Sequence, residues 1–203
     1  MIHELHHRDL PPDLDLGKVV AVDCEAMGLQ THRDRLCVVQ LSSGDGKAHL
    51  VQVERGQSEA PNLGRLLADP ERLKLFHYGR FDIALLAHQL GVVTAPVYCT
   101  KIASKLSRTY TDRHGLKHLL SELLGIDISK QQQSSDWGAP RLSEAQIEYA
   151  ASDVLHLHAL KGRLDEMLER EGRSDLARQC FAFLPDRARL DLAGWAEVDV
   201  FAH

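Results

Sequence analysis

Asp23 and Glu25 stand two residues apart at the end of a nearly continuous apolar run from Lys18 to Cys24. Such a run predicts a strand buried on both faces. Successive strand side chains alternate faces, so both carboxylates project one way while Cys24 points the other. Holding two like charges together is costly unless a cation lies between them. Asp-x-Glu alone is a weak motif, and two solvated acids at a strand end are its plain alternative. Further on, Phe76-His77-Tyr78-Gly79-Arg80-Phe81-Asp82 predicts a strand, a glycine break and an acid in a first helical turn. Asp82 then falls at the carboxyl edge of the sheet, although a helix dipole alone also favours an acid there. The third element is Tyr149-Ala150-Ala151-Ser152-Asp153. Residues i and i+4 of a helix share a face, so phenol and carboxylate point into one space.

The combination says more than its parts. Four acids arrive on a strand, a helix start and a later helix, with a tyrosine one turn before the last. Hard cations such as Mg²⁺ or Mn²⁺ take oxygen ligands and retain waters. Two such ions about 4 Å apart can activate a water and neutralise charge on a phosphate and its departing oxygen. The expected chemistry is two-metal-ion phosphodiester hydrolysis.

The elements that must position these residues are legible in outline. Strands are predicted over Lys18 to Cys24, Arg35 to Ser42, Lys47 to Val53 and Leu73 to His77, the middle two joined through Ser43-Gly44-Asp45-Gly46. Helices are predicted over Asn62 to Ala68, Phe81 to Leu90, Lys101 to Leu106 and Leu116 to Leu124. Ser129 to Gly138 reads as a polar loop. The capping box Ser143-x-x-Gln146 opens a long helix toward Glu169, and Arg173 to Phe183 makes one more. The architecture expected is α/β, a mixed sheet with helices on its faces, in one domain spanning residues 1 to 203.

Composition sets the bounds. The chain has 203 residues, 44% hydrophobic and 26% charged, as in an ordinary globular protein with a sizeable core. No apolar stretch approaches the ~20 residues of a membrane span, and the first residues do not resemble a secretory signal. A cytoplasmic setting is the default expectation. Cys24, Cys37, Cys99 and Cys180 are scattered, which favours free thiols over a zinc site or disulfides. The twelve histidines are expected to be surface or satisfied core residues, because neither His6-His7 nor His156-x-His158 has i, i+4 spacing. A net charge of −5 argues against binding long duplexes through many phosphates, but not against a carboxylate-rich nuclease acting on short strands.

At these residues the sequence resembles the DEDD exonuclease superfamily, and Tyr149 makes it similar to the DEDDy, ribonuclease D-like branch. The resemblance covers roughly residues 17 to 165 and includes His32 to Leu41, Gly115-Leu116-Lys117 and Ile128 to Trp137. It implies a ribonuclease H-like fold and a 3′→5′ exonuclease. It further implies that Asp23, Glu25 and Asp153 hold the ion at which water is activated, with Asp23 shared by a second ion. Asp82 would act through a coordinated water, and Tyr149 would orient the nucleophile. Ribonuclease D carries further helical domains that this length does not accommodate, leaving residues 166 to 203 as C-terminal helices and tail. The length, Thr109 to His114 and the ending Gly194-Trp195 to His203 look most like the nanoRNase C group. That group implies short single-stranded oligoribonucleotide substrates, notably dinucleotides, and a ring-shaped homo-octamer.

Candidate substrate contacts follow. Met27, Gly28 and Leu29 continue the Asp-x-Glu strand, and apolar side chains there can wedge against unstacked bases. His77 borders the Asp82 segment. Lys130, Gln131, Gln133, Ser135 and Trp137 lie on a polar loop without an obvious packing role and suit phosphate or sugar contact. Arg113 and His114 are candidates to cap a 5′-phosphate. Cys24 and Ala26 stand where the family usually has threonine; Cys24 is expected to affect packing and Ala26 to alter hydrogen bonding beside Glu25. A DNA-directed exonuclease of the same superfamily remains the alternative within the class. A metal-dead binding module would be expected to have lost an acid, and a purely structural protein leaves the ordered acids unexplained.

Overall fold

In a computed structural model, which describes residues 2–129 and 131–203, six strands form one mixed sheet. These are β1 (Ile2–His7), β2 (Val19–Ala26), β3 (Leu36–Ser42), β4 (Lys47–Gln52), β5 (Leu73–Phe76) and β6 (Val97–Cys99), in the spatial order β1-β4-β3-β2-β5-β6. β3 pairs antiparallel with both β2 and β4, while β4–β1, β2–β5 and β5–β6 pair parallel. The fully buried pattern of β3 and the Val20 to Val22 stretch of β2 put these strands at the centre, as their apolar runs require.

Seven helices flank the sheet: α1 (Pro61–Ala68), α2 (Arg80–Leu90), α3 (Thr100–Ser107), α4 (Leu116–Leu124), α5 (Glu144–Leu155), α6 (Leu157–Arg170) and α7 (Ser174–Leu190). The capping box forms as its sequence signature demands. Ser143 Oγ accepts from the Gln146 N–H at 3.3 Å, and the Ser143 N–H donates to Gln146 Oε1 at 2.9 Å. Ala150 and Ala151 are wholly buried, so α5 can lie close against β2, β3 and β4.

Three expectations need correction. The long helix from Glu144 breaks at His156, whose φ of −108° and ψ of 0° separate α5 from α6, with no glycine or proline to announce it. α7 runs on to Leu190 through Pro185. Two edge strands were not anticipated: β1 is half polar and pairs on one side only, and β6 has three residues. All four cysteines are free. Among the described residues no helix is long and apolar enough to cross a membrane.

The C-terminal run is anchored, not loose. Phe181, Leu184 and Ala188 are buried, and a final helical turn over Asp191–Trp195 is held by Arg80. The Arg80 guanidinium grips Asp191 with two bonds of 2.6 and 2.7 Å, and Arg187 reaches the same carboxylate at 3.0 Å. This fork ties the chain end to the first residue of α2, two positions before Asp82. Asp191→Asn is expected to lower stability by about 1 kcal/mol, a modest loss because Arg80 is partly solvated. The urea midpoint should fall with its slope unchanged.

Candidate active site

The end of β2, the start of α2 and the last turns of α5 converge on one cavity of about 630 Å³. Asp23, Glu25, Asp82, Tyr149 and Asp153 all line it. One oxygen from each of Asp23, Glu25 and Asp153 can be chosen so that all three lie within 4.8 Å of one another. Strand alternation accounts for Asp23 and Glu25, and the buried small face of α5 brings Asp153 above them.

Electrostatics here are unfavourable without a counter-charge. Burial raises the Asp23 carboxyl well above its ordinary range, and the charges of Asp82, Asp153 and Glu25 raise it further. Burial, then Asp153 and Asp82, push Glu25 up to about 9. Asp82, 5% exposed, is pushed up to about 7 by burial, against hydrogen bonds from its own backbone N–H and from the N–H and thiol of Cys24. Tyr149 is raised by burial and by Asp153, to which its hydroxyl is hydrogen-bonded, so it stays a neutral phenol. Clustered oxygen donors that repel one another in a cavity are the donor set a hard divalent cation requires.

Asp82 is reached through a tight turn. Tyr78 takes a left-handed φ of +64°, and Gly79 follows where a Cβ would meet the Phe76 Cβ at 2.5 Å. Only glycine fits that approach, and it lets α2 begin directly over the strand end. Cys24 also borders the cavity, and after burial the charge of Asp82 raises its thiol further.

The rim is apolar. Met27 is 51% exposed and Leu29 86%, and both border the cavity with Gly28. A side chain at position 28 would collide with the Asp34 carboxylate. That carboxylate accepts the Gln30 N–H at 2.9 Å and pairs with Arg33, which shapes the loop. His77 lines the cavity and is held by Thr100 Oγ1 at 2.8 Å.

The polar loop divides. Gln133, Ser135 and Trp137 reach the cavity and Gln131 is not among its lining residues, while Lys130 lies outside the described residues. Ser135 Oγ accepts from Gln146 Nε2 at 3.1 Å, so the α5 capping residue also fastens this loop. Trp137 is 2% exposed, with its ring 6.0 Å from that of Tyr149, and serves as a wall behind the phenol.

Arg113 and His114 are not brought to the cavity. Their turn folds over buried Arg108, which donates to the Arg113 carbonyl at 2.8 Å, and His114 Nδ1 lies 2.8 Å from Ser104 Oγ. Sequence reasoning missed Tyr78, Lys101 and Lys117, all of which line the cavity. The Lys101 ammonium sits 3.6 Å over the Tyr78 ring. Lysines next to such short elements carry no periodic signal, so only the residue type hinted at them.

Residues 7–169 match the family model described as 3′-5′ exonuclease. Ribonuclease D of Gluconacetobacter diazotrophicus is 39% identical over 169 residues, covering 83% of this chain and 42% of that protein. The chain thus spans under half the length of this curated relative. Brucella melitensis NrnC with bound Mg²⁺ is 58% identical with a TM-score of 0.96, covering 100% of both chains. Brucella melitensis NrnC bound to pGG is 59% identical with a TM-score of 0.97, covering 100% of this chain and 99% of that one.

Proposed function

We propose, because this chain belongs to the 3′→5′ exonuclease family and to its ribonuclease D-like branch, that it trims short single-stranded oligoribonucleotides to nucleoside 5′-monophosphates. The observation that carries this reading is the triad of Asp23, Glu25 and Asp153 oxygens within 4.8 Å at the floor of the cavity. Those residues, with Asp82 beside them, would hold two divalent ions, Mg²⁺ or Mn²⁺. When bound, the ions supply a more acidic water and neutralise charge on the phosphate and the departing oxygen.

The chain's own groups do the rest. Tyr149 remains protonated at neutral pH, so its hydroxyl orients the attacking water and does not serve as the base. Asp153 holds that hydroxyl in place. Lys101 and Lys117 lend positive charge to the phosphates along the cavity wall. Met27 and Leu29 present an apolar edge against which an unstacked base can rest, and Gln133 and Ser135 offer polar contacts to sugar or phosphate.

A cavity of about 630 Å³ suits very few nucleotides, and a relative that matches the whole chain was seen with pGG. Both support a preference for dinucleotides. Exposed Trp195, Val198, Val200 and Phe201 near the chain end support assembly into a homo-oligomer, an octamer by resemblance.

The deciding experiment is a length series of 5′-labelled oligoribonucleotides, two residues upward, with Mg²⁺ or Mn²⁺. A sharp rate optimum at two residues is expected, and a rate that climbs with length would overturn the dinucleotide preference. Equal rates on matched DNA strands would move the reading to a general 3′→5′ exonuclease. Leu29→Ala should raise KM for the dinucleotide about tenfold while kcat changes little, since covering a leucine side chain with a base removes apolar surface worth about 1.5 kcal/mol. An unchanged KM would remove Leu29 from the substrate contacts.

A further inference from the structure

The sheet edge opposite the exonuclease cavity carries a second cluster of metal-binding atoms. β1 pairs in parallel with β4 so that Glu4 lies beside His49, and His6, two residues on, shares their face. His6 Nε2 is 3.0 Å from His49 Nδ1, His49 Nδ1 is 3.2 Å from Glu4 Oε2, and His6 Nε2 is 3.9 Å from the same oxygen. Donors bound tetrahedrally at the zinc–nitrogen distance stand about 3.3 Å apart, so these separations bracket that value. The rings stack nearly parallel, 8° apart in plane, and His49 is 4% exposed. The 3.0 Å contact is a hydrogen bond that places one proton between His6 and His49, and a bound ion would displace that proton.

We propose that Glu4, His6 and His49 form a binding site for a borderline divalent cation such as Zn²⁺ or Co²⁺, separate from the exonuclease centre. Two imidazoles and one carboxylate favour such an ion over Mg²⁺, which prefers an all-oxygen shell. Burial lowers both histidines below their ordinary value, which keeps them in the neutral form that ligates. Water completes the coordination. Lys47 opposes binding, because its ammonium already lies 3.0 Å from Glu4 Oε2 and must yield that oxygen. A bound ion would cross-link β1, an edge strand paired on one side only, to β4. The site does not depend on the exonuclease reading.

The test uses the full chain, stripped with EDTA and titrated with Co²⁺ in excess Mg²⁺, with visible absorption as the readout. Asp153→Asn serves as the background that disables the other centre. One equivalent of Co²⁺ should give a visible band in both wild type and Asp153→Asn, displaced by one equivalent of Zn²⁺. His6→Gln and Glu4→Gln, both at more exposed positions than His49, should weaken Co²⁺ binding at least about tenfold while leaving the Mg²⁺-dependent nuclease rate unchanged. Lys47→Gln should tighten it. A band that disappears in Asp153→Asn, or that persists with equal affinity in His6→Gln and Glu4→Gln, would overturn the site.

Discussion

Asp153→Asn should leave the fold intact and lower kcat by on the order of 10³-fold or more. The change keeps side-chain volume and removes one of three carboxylates whose oxygens gather within 4.8 Å. Asparagine offers no charge, so the site loses a strong ligand, and its neutral amide oxygen is a weaker acceptor for the Tyr149 hydroxyl than the carboxylate. Each factor of ten in rate is about 1.4 kcal/mol of barrier, and a misplaced cation forfeits several kcal/mol of transition-state stabilisation. The same substitution removes a repulsive charge from beside Asp23 and Glu25. Its melting temperature in EDTA should therefore equal or exceed that of wild type. Single-turnover assays on a labelled dinucleotide, paired with melts in EDTA, read both quantities. Turnover within tenfold of wild type would remove Asp153 from the centre. Tyr149→Phe makes the contrasting case: it keeps every charge, so kcat should drop about 10²-fold or more with little change in substrate binding.

Which parts of the site the sequence announced follows from the range of the interactions involved. Local periodicity places Asp23 and Glu25 on one strand face and Tyr149 and Asp153 on one helix face, and the structure keeps both pairs together. α4 begins and ends where its apolar pattern does, because Gly125 takes a φ of +68° and stops it. Long-range placement had no such signal. α2 delivers Asp82 close enough for its charge to act on both Asp23 and Cys24, which no pattern within β2 can indicate. Lys101 enters the cavity only because a three-residue strand, β6, leads into α3 there. Glu4, His6 and His49 meet through a parallel pairing across more than forty residues, so short-range histidine spacing could not show them. Arg113 and His114 carry phosphate-binding chemistry by type, but neither lines the cavity, and the buried Arg108 guanidinium donates to the Arg113 carbonyl.

Without divalent cations the active-site carboxyls should subtract stability as pH rises from about 5 to 9, and a cation should restore it. Glu25 moves from 4.5 to about 9 and Asp82 from 3.8 to about 7 in the folded state. A folded-state value above the unfolded one means that the native chain holds more protons between the two. Stability contributed by those carboxyls is present below the unfolded values and declines as pH climbs toward the folded ones. Histidines work in the opposite sense inside the window, because burial lowers His6, His49, His114 and His156 from 6.5 and their contribution grows as pH rises toward that value. Asp34 has the same sign. Arg33 holds it down at about 2, and that contribution fades only as pH falls below about 4, outside the window. Binding of Mg²⁺ or Mn²⁺ offsets the burial and the repulsion that raise Asp23, Glu25 and Asp82, so the gain should be largest near pH 8 and small at pH 5, where protons compete. A cation at a thousand times its dissociation constant contributes about 4 kcal/mol. For a chain of this size that corresponds to roughly 8–16 °C in melting temperature. Melts across pH 5 to 9 in EDTA and in excess Mg²⁺ measure the effect. In Asp153→Asn the EDTA curve should flatten, since the remaining acids feel one charge fewer. An EDTA curve that Asp153→Asn leaves unchanged, or a Mg²⁺ gain independent of pH, would show that these carboxylates are not the groups that bind the cation.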